Sequence, residues 1–224
     1  MRAMILAAGR GERMRPLTDT VPKPLLEAGG EPLLGWHLRS LARAGFQRVV
    51  INHAYLGQMI EDWAGSGVRW GLKIDYSREG PALETAGGIR QALDLLGDEP
   101  FLVVNADVFA DWPFERARTI AAQMKSGGLS AWCVLVDNPK HHPSGDFAIE
   151  DGWLRNHGRR MLTFSGIGVY HPGLFVSLPE GVPARLAPLL REQAQARLAA
   201  GEYWAGTWTD VGSPARLAEL NAEL

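Results

Sequence analysis

Two glycines, an arginine and a lysine between prolines carry the most readable chemistry in this chain. The apolar run Ala3-Met4-Ile5-Leu6-Ala7-Ala8 leads into Gly9-Arg10-Gly11-Glu12-Arg13-Met14-Arg15-Pro16, and Pro22-Lys23-Pro24 closes the segment. A run this short reads as a buried strand. Glycines directly after a strand let the backbone approach a ligand, with successive N–H groups facing outward as an anion nest. Arg13 and Lys23 add positive charge at the same end of that strand, so the loop suits a polyphosphate. Two better-known phosphate loops are excluded. A dinucleotide fingerprint needs a third glycine or alanine where Met14 stands, and a Walker loop must end in Gly-Lys-Ser/Thr. An ordinary strand-to-helix turn would explain Gly-x-Gly alone, but not its company of Arg13, Pro16, Thr18, Pro22, Lys23 and Pro24.

Length and charge narrow the class. A chain of 224 residues that is 46% apolar can bury the core of one large domain. Its 23 basic and 25 acidic residues nearly cancel, which argues against a broad nucleic-acid or membrane footprint and makes any basic site local. The first apolar run is far too short to span a bilayer and lacks the charged lead of a secretory signal. Cys133 is the only cysteine and lies within Ser130-Ala131-Trp132-Cys133-Val134-Leu135-Val136. It cannot form an internal disulfide, fits a reducing cytoplasm, and reads as a small strand residue rather than a nucleophile.

Periodicity supplies the elements that must hold the loop. Pro32 to Ala44 predicts a helix, with Leu33, Leu34, His37, Leu38 and Leu41 near one face and Gly45 as its stop. Tyr55 to Ala64 and Thr85 to Leu96 predict two more. Arg48 to Asn52, Leu72 to Tyr76 and Phe101 to Asn105 read as strands, the last running into Asp107. Such alternation gives parallel strands with right-handed crossovers, and ligands bind beyond their carboxyl ends. The glycine loop and Asp107 both fall at such ends. Further on, Leu129 to Val136 and Thr163 to Tyr170 read as strands, and Phe147 to Arg155 as a hairpin turning at Asp151-Gly152. Val182 to Ala200 reads as mostly helix and Tyr203 to Thr209 as a strand entering Asp210. Ser213-Pro214 opens a final amphipathic helix. No linker or repeat interrupts the pattern.

The segment from Leu6 to Pro24 resembles the signature of the sugar-1-phosphate nucleotidyltransferases. That signature reads Leu-Ala-Ala-Gly-x-Gly-x-Arg-x-x-Pro-x-Thr, then Pro-Lys-Pro, and every part is present. Glu84-Thr85-Ala86-Gly87-Gly88 is similar to the family's base-binding turn, and Asn105-Ala106-Asp107 to its metal aspartate. Asn138-Pro139, Gly145-Asp146-Phe147 and Glu150 resemble its sugar-binding segment. Trp208-Thr209-Asp210-Val211-Gly212-Ser213-Pro214 resembles the region of its second metal aspartate. The motifs keep the family's order across nearly the whole chain. Glu84 and Ala106 depart from it, since many members carry glycine at both places. The Glu-Thr-Ala-Gly-Gly-Ile form and the short length are similar to bacterial members that transfer UMP to N-acetylmuramate 1-phosphate in cell-wall recycling. Only about one helix follows Asp210, so the C-terminal left-handed β-helix of bifunctional relatives is not expected.

The resemblance implies an α/β fold of the nucleotidyltransferase (GT-A-like) kind: a Rossmann-like, mixed, mostly parallel sheet flanked by helices, with a small sugar-binding hairpin extension. It implies one domain over residues 1–224, with a nucleotide-binding half (1–110) and a sugar-phosphate-binding half (111–224). It also implies attack of a sugar 1-phosphate oxygen on the α-phosphorus of UTP, releasing pyrophosphate. A phosphate monoester is already an anion, so the reaction needs no general base or protein nucleophile, only charge cancellation and in-line alignment.

The implied catalytic residues are Arg13, Lys23, Asp107 and Asp210, the two aspartates holding Mg²⁺. The implied nucleotide contacts are Gly9, Gly11, Glu12, Arg13, Lys23, Leu83, Thr85 and Gly88. The implied sugar-phosphate contacts are Asn105, Gly145, Glu150 and Ser165. By residue type alone, Asp107 could cap the segment after its strand, and Asp210 could belong to a turn before Gly212. The lactyl carboxylate of a muramyl sugar calls for a nearby cation, and Arg155, His157 and Arg159 are candidates. Nucleic acid and membrane are not expected partners. A guanylyltransferase for mannose- or heptose-1-phosphate, or a non-catalytic nucleotide-sugar sensor, stand as alternatives.

Overall fold

A computed structural model describes residues 1–224. In the first half β1 (Ala3–Leu6), the short ribbon β2 (Glu27–Ala28) and β3 (Glu31–Pro32), α1 (Leu33–Arg43), β4 (Arg48–His53), α2 (Gly57–Ala64), β5 (Lys73–Arg78), α3 (Glu84–Gln91), α4 (Leu93–Leu96) and β6 (Phe101–Asn105) follow one another. Then come β7 (Val108–Ala110), α5 (Arg116–Gly127), β8 (Ala131–Val136), β9 (Ala148–Glu150), β10 (Trp153–Arg155), β11 (Thr163–Tyr170), α6 (Leu186–Gln195), β12 (Ala199–Tyr203), β13 (Trp208–Asp210) and α7 (Pro214–Glu223).

Nine strands form one sheet in the order β5-β4-β1-β6-β11-β8-β12-β10-β9. Only β11 and β10 oppose the rest, so the sheet is mixed and mostly parallel, as the sequence predicts. The hairpin β9–β10 extends one edge through β10–β12 pairing. Ala3, Met4 and Ile5 of β1 are fully buried, and its alternating side chains feed both faces. Ala3 and Ile5 join Leu34, Leu38, Ile60, Ile120 and Met124 under α1, α2 and α5. Met4 joins Ile89, Leu93, Leu186 and Leu190 under α3, α4 and α6. A third cluster sits below the glycine loop, where Met14 packs with Leu33, Val211, Leu217 and Leu220.

Three stretches differ from the sequence reading. The helix expected to Ala200 ends at Gln195, because Arg197 turns left-handed (φ 56°) and Ala199–Tyr203 enters the sheet parallel to β8. The strand expected from Tyr203 to Thr209 is therefore the end of β12 and the separate β13. No element is expected between Asp107 and Leu129, where β7 and α5 lie. The burial of Ala117, Ile120, Ala121 and Met124 in α5 has helical spacing. No helix is long and apolar enough to cross a membrane.

One buried group gives the fold a pH dependence. His37 of α1 is buried and its Nε2 has no hydrogen-bond partner. Burial pushes its imidazole from the usual 6.5 down to about 4, and a hydrogen bond to the Val108 backbone and the charge of Asp107 oppose only part of that. Between those values the unfolded chain binds a proton that the folded chain refuses. Stability is therefore full above pH 6.5 and falls as the pH drops toward 4. The contribution lost between pH 7 and pH 4.5 is about 2–3 kcal/mol. Urea denaturation at the two pH values should show this loss, and His37→Leu should remove that share of the slope.

Candidate active site

The glycine loop is built as its residue types demand. Gly11 has φ 70°, a left-handed conformation that glycine adopts without steric cost. Thr18 donates its hydroxyl proton to the Gly11 carbonyl at 2.8 Å. A β-carbon on Gly11 would lie 3.1 Å from Thr18 Cγ2 and 3.2 Å from Lys23 Cβ. The glycine therefore lets the Thr18 and Lys23 segments close over the loop, which gives the threonine and the lysine of the motif their spacing. Gly9 faces open space.

The two aspartates meet through a small ribbon outside the main sheet. β7 and β13 pair antiparallel, with Asp210 opposite Val108. The next rung is the Val211 N–H, which donates to the Asp107 carbonyl at 2.7 Å. Residues a hundred positions apart thus become near neighbours at one ribbon end. Asp107 forms an ion pair with Lys23. Asp210 accepts from Arg216 Nη1 at 2.6 and 2.5 Å, and His141 Nε2 lies 3.1 Å from its Oδ1. A β-carbon on Gly212 would collide with the Arg216 guanidinium and lie 3.3 Å from Arg13 Nη2. Arg13 and Arg216 therefore converge at Gly212. No sequence motif marks Arg216; its place six residues after Asp210, within the last amphipathic helix, is the signal the sequence offers.

Two concavities share this corner. A cleft of about 470 Å³ runs from the glycine loop past Lys23 to Ala82, Glu84 and Thr85. A second, of about 360 Å³, is walled by His141, His142, Thr163 to Gly166 and Trp208. Arg13, Asn105 and Asp107 line both. Gly9, Gly11, Glu12, Lys23 and Thr85 line the first, and Ser165 and Asp210 the second.

Leu83 and Gly88 lie behind the first cleft instead of on its wall. Buried Glu79, another residue that sequence analysis passed over, accepts from the Leu83 N–H at 2.8 Å and from Asn52 Nδ2 at 2.7 Å. Asn52 Oδ1 in turn accepts from the Ala7 N–H at 2.9 Å, tying this turn to the end of β1. A β-carbon on Gly88 would stand 2.6 Å from Glu79 Oε1 and 2.8 Å from Asn52 Nδ2. Gly88 is thus a close-packing position for that network. The N–H groups of Ala86 and Gly87 both donate to the Ala184 carbonyl, at 2.9 and 3.1 Å. Glu84 has φ 58°, a left-handed conformation that glycine adopts freely and that strains this side chain by about 1–2 kcal/mol.

On the sugar side, Ser165 is committed to the backbone. Its hydroxyl donates to the Val134 carbonyl at 2.7 Å and accepts from the Ile167 N–H at 3.1 Å. Asn105 packs against Gly166, which has φ 80°. Gly145 (φ 62°) lies against Asn138 and the Leu162 carbonyl, off the cavity wall. Glu150 is also off the wall, on the edge hairpin, 3.9 Å from Arg155. Arg155, His157 and Arg159 line neither cavity, because the hairpin that leads to them lies at the far edge of the sheet.

This sheet, with a phosphate-type loop at its open rim and paired cations and carboxylates between two cavities, defines a nucleotidyl-transfer scaffold. The nucleotidyl transferase family model matches residues 2–152, and the chain belongs to that family. It is 52% identical, over 99% of its own length and 97% of the relative's, to N-acetylmuramate alpha-1-phosphate uridylyltransferase of Neisseria meningitidis. It is 31% identical to the mannose-1-phosphate guanylyltransferase catalytic subunit beta of Danio rerio, covering 96% of this chain but 62% of that relative. Among solved structures it superimposes on one described as a glucose-1-phosphate thymidylyltransferase from Bacillus anthracis with a TM-score of 0.86. That match has 19% identity and covers 100% of this chain and 95% of that one. It also superimposes on HddC from Yersinia pseudotuberculosis, with a TM-score of 0.76, 19% identity, and 99% and 98% covered. These structural matches speak for the fold.

Proposed function

We propose that the chain transfers UMP from UTP to N-acetylmuramate 1-phosphate, giving UDP-N-acetylmuramate and pyrophosphate. One observation carries the reading: a loop-lined cleft and a second cavity share Arg13, Asn105 and Asp107, with Lys23 at the shared corner. Two anionic substrates entering from either side would meet there. The choice of base and sugar is supported by the 52% identical relative over nearly the full chain.

The roles follow from charge. Backbone N–H groups from Gly9 to Glu12 hold the triphosphate. Arg13 neutralises the β- and γ-phosphates that leave, its planar guanidinium suiting two oxygens at once. Lys23, a compact cation, holds the α-phosphate and the incoming sugar phosphate in line. Thr85 and the exposed backbone beside it take the base, with Leu83 and Gly88 supporting them from behind. Asn105 reaches the sugar phosphate; Ser165 shapes that wall through its backbone ties, and Gly145 sets the course of the loop beyond it. Glu150 has no contact role in this scheme.

Asp107 and Asp210 fit Mg²⁺, which takes one or two carboxylates and completes its shell with phosphate oxygens and water. No group of three or more acidic, histidine or cysteine side chains gathers to hold a metal from protein atoms alone, consistent with an ion shared with substrate. When bound, the ion would withdraw charge from the phosphates at the reacting centre. We place the reaction in the cytoplasm, within one domain whose residues 1–110 mainly serve the nucleotide and 111–224 mainly the sugar phosphate, with Asn105 and Asp210 crossing that division.

The test is a matrix of triphosphates against sugar 1-phosphates, scored by pyrophosphate release. Turnover should peak for UTP with N-acetylmuramate 1-phosphate. A peak for GTP with mannose or heptose 1-phosphate would replace this reading, and binding without release would favour a sensor.

A further inference from the structure

The second cavity holds a side-chain pair that nucleotidyl transfer does not use. His142 stands on its wall, and its Nε2 lies 3.1 Å from Asp146 Oδ1. The other oxygen of Asp146 accepts from the Phe164 N–H at 2.9 Å, which fixes the carboxylate against β11. The loop that carries both residues is itself pinned. Asn138 donates to the carbonyls of Pro143 and Met161 at 3.1 and 3.0 Å and accepts from the Thr163 hydroxyl at 2.8 Å. The Asp146 N–H donates to the Leu162 carbonyl at 2.7 Å. A carboxylate–imidazole pair held this firmly would serve a hydrolase as an oriented general base. Here the attacking group is a phosphate oxygen that needs no base, so the pair is free for recognition.

Charge decides what it recognises. The other imidazole on this wall, His141, is taken by Arg216 and Asp210. Arg13 lies at the corner shared with the nucleotide cleft, where the phosphates meet. Arg155, His157 and Arg159 are elsewhere. His142 is the cavity-wall group left to meet a negative substituent on the sugar. An imidazolium can bridge two carboxylates, one at each ring nitrogen. Asp146 supplies one and orients the ring.

We propose that His142, positioned by Asp146, binds the carboxylate of the acidic sugar and makes the enzyme prefer it over neutral sugar phosphates. This deepens the muramyl reading above and rests on it. The second carboxylate is then the lactyl group of N-acetylmuramate 1-phosphate. A neutral hexosamine phosphate would leave the ring nitrogen that faces away from Asp146 without a carboxylate partner, a loss without compensation.

The experiment compares two substrates with saturating UTP: N-acetylmuramate 1-phosphate, and the same molecule with its lactyl carboxylate converted to a carboxamide. The wild-type protein should favour the acid over the amide in kcat/KM by about tenfold or more, mostly through KM. His142→Gln should bring that ratio to within about twofold, leaving the amide's kcat/KM and the KM for UTP near wild type. Asp146→Asn should give an intermediate ratio, as a positioning residue would. A merely structural role would lower both substrates together, and that result overturns the proposal. So does a wild-type ratio near one, or a His142→Gln ratio equal to wild type. Failure of the wild-type protein to turn over either muramyl phosphate would instead overturn the functional reading and remove this one with it.

Discussion

Lys23→Met should lower kcat by about 10³-fold while the protein still folds. The lysine is only 9% exposed, lines the nucleotide cleft and forms an ion pair with Asp107. Its stem packs at the glycine loop, so methionine keeps the apolar contact near Gly11 and removes only the charge. On the proposed mechanism, what disappears is the compact cation that lets a dianionic nucleophile approach an anionic triphosphate. Single-turnover pyrophosphate release measures the effect, with the thermal melt as the control for folding. A kcat within tenfold of wild type would remove Lys23 from the reacting centre.

Asp107→Asn should be nearly as damaging, with a different signature. The amide keeps the shape of the carboxylate but loses the charge that favours a hard divalent ion. Turnover at ordinary Mg²⁺ should drop by about 10²-fold or more, and the Mg²⁺ concentration for half-maximal activity should rise by at least about tenfold. Mn²⁺ binding followed by electron paramagnetic resonance reads the same loss without turnover. Because Asp107 and Lys23 touch, the double variant should fall well short of the product of the two single losses. Near-wild-type activity with an unchanged Mg²⁺ requirement would falsify the metal assignment.

Local chemistry was legible in the sequence wherever it was contiguous. Gly9 to Pro24 gave the loop, because its glycine conformations, the Thr18 bond and the Lys23 closure all lie within sixteen residues of one another. The strands ending at Leu6 and Asn105 followed from short apolar runs. β12 was unreadable by the same logic. Ala199-Ala200-Gly201 has no β-branched side chain, and its strand state comes from parallel pairing with β8, nearly seventy positions away. α5 carried a helical pattern, but a weak one built on two alanines.

At the site, the resemblance named Asp107 and Asp210, yet only the β7–β13 register joins them. Buried Glu79 and the Asp210 partner Arg216 had no motif to mark them. Each acts through a tertiary contact whose other member lies outside the local pattern or on a different element. Gly88 shows the opposite limit. Its residue type was noticed, but a β-carbon's clash with Glu79 and Asn52 makes it a packing position behind the cleft rather than a wall.

The ribbon that unites Asp107 with Asp210 also sets an order in time. Chains emerge from the ribosome N-terminus first, and early segments can begin to fold while later ones are still being made. The glycine loop, β1 and β6 are available after about half the protein has been synthesised. The contact of Met14 with Val211, and the second carboxylate itself, must wait until position 211 is out. The last-made residues thus complete both the packing beneath the glycine loop and the ribbon that brings Asp210 beside Asp107.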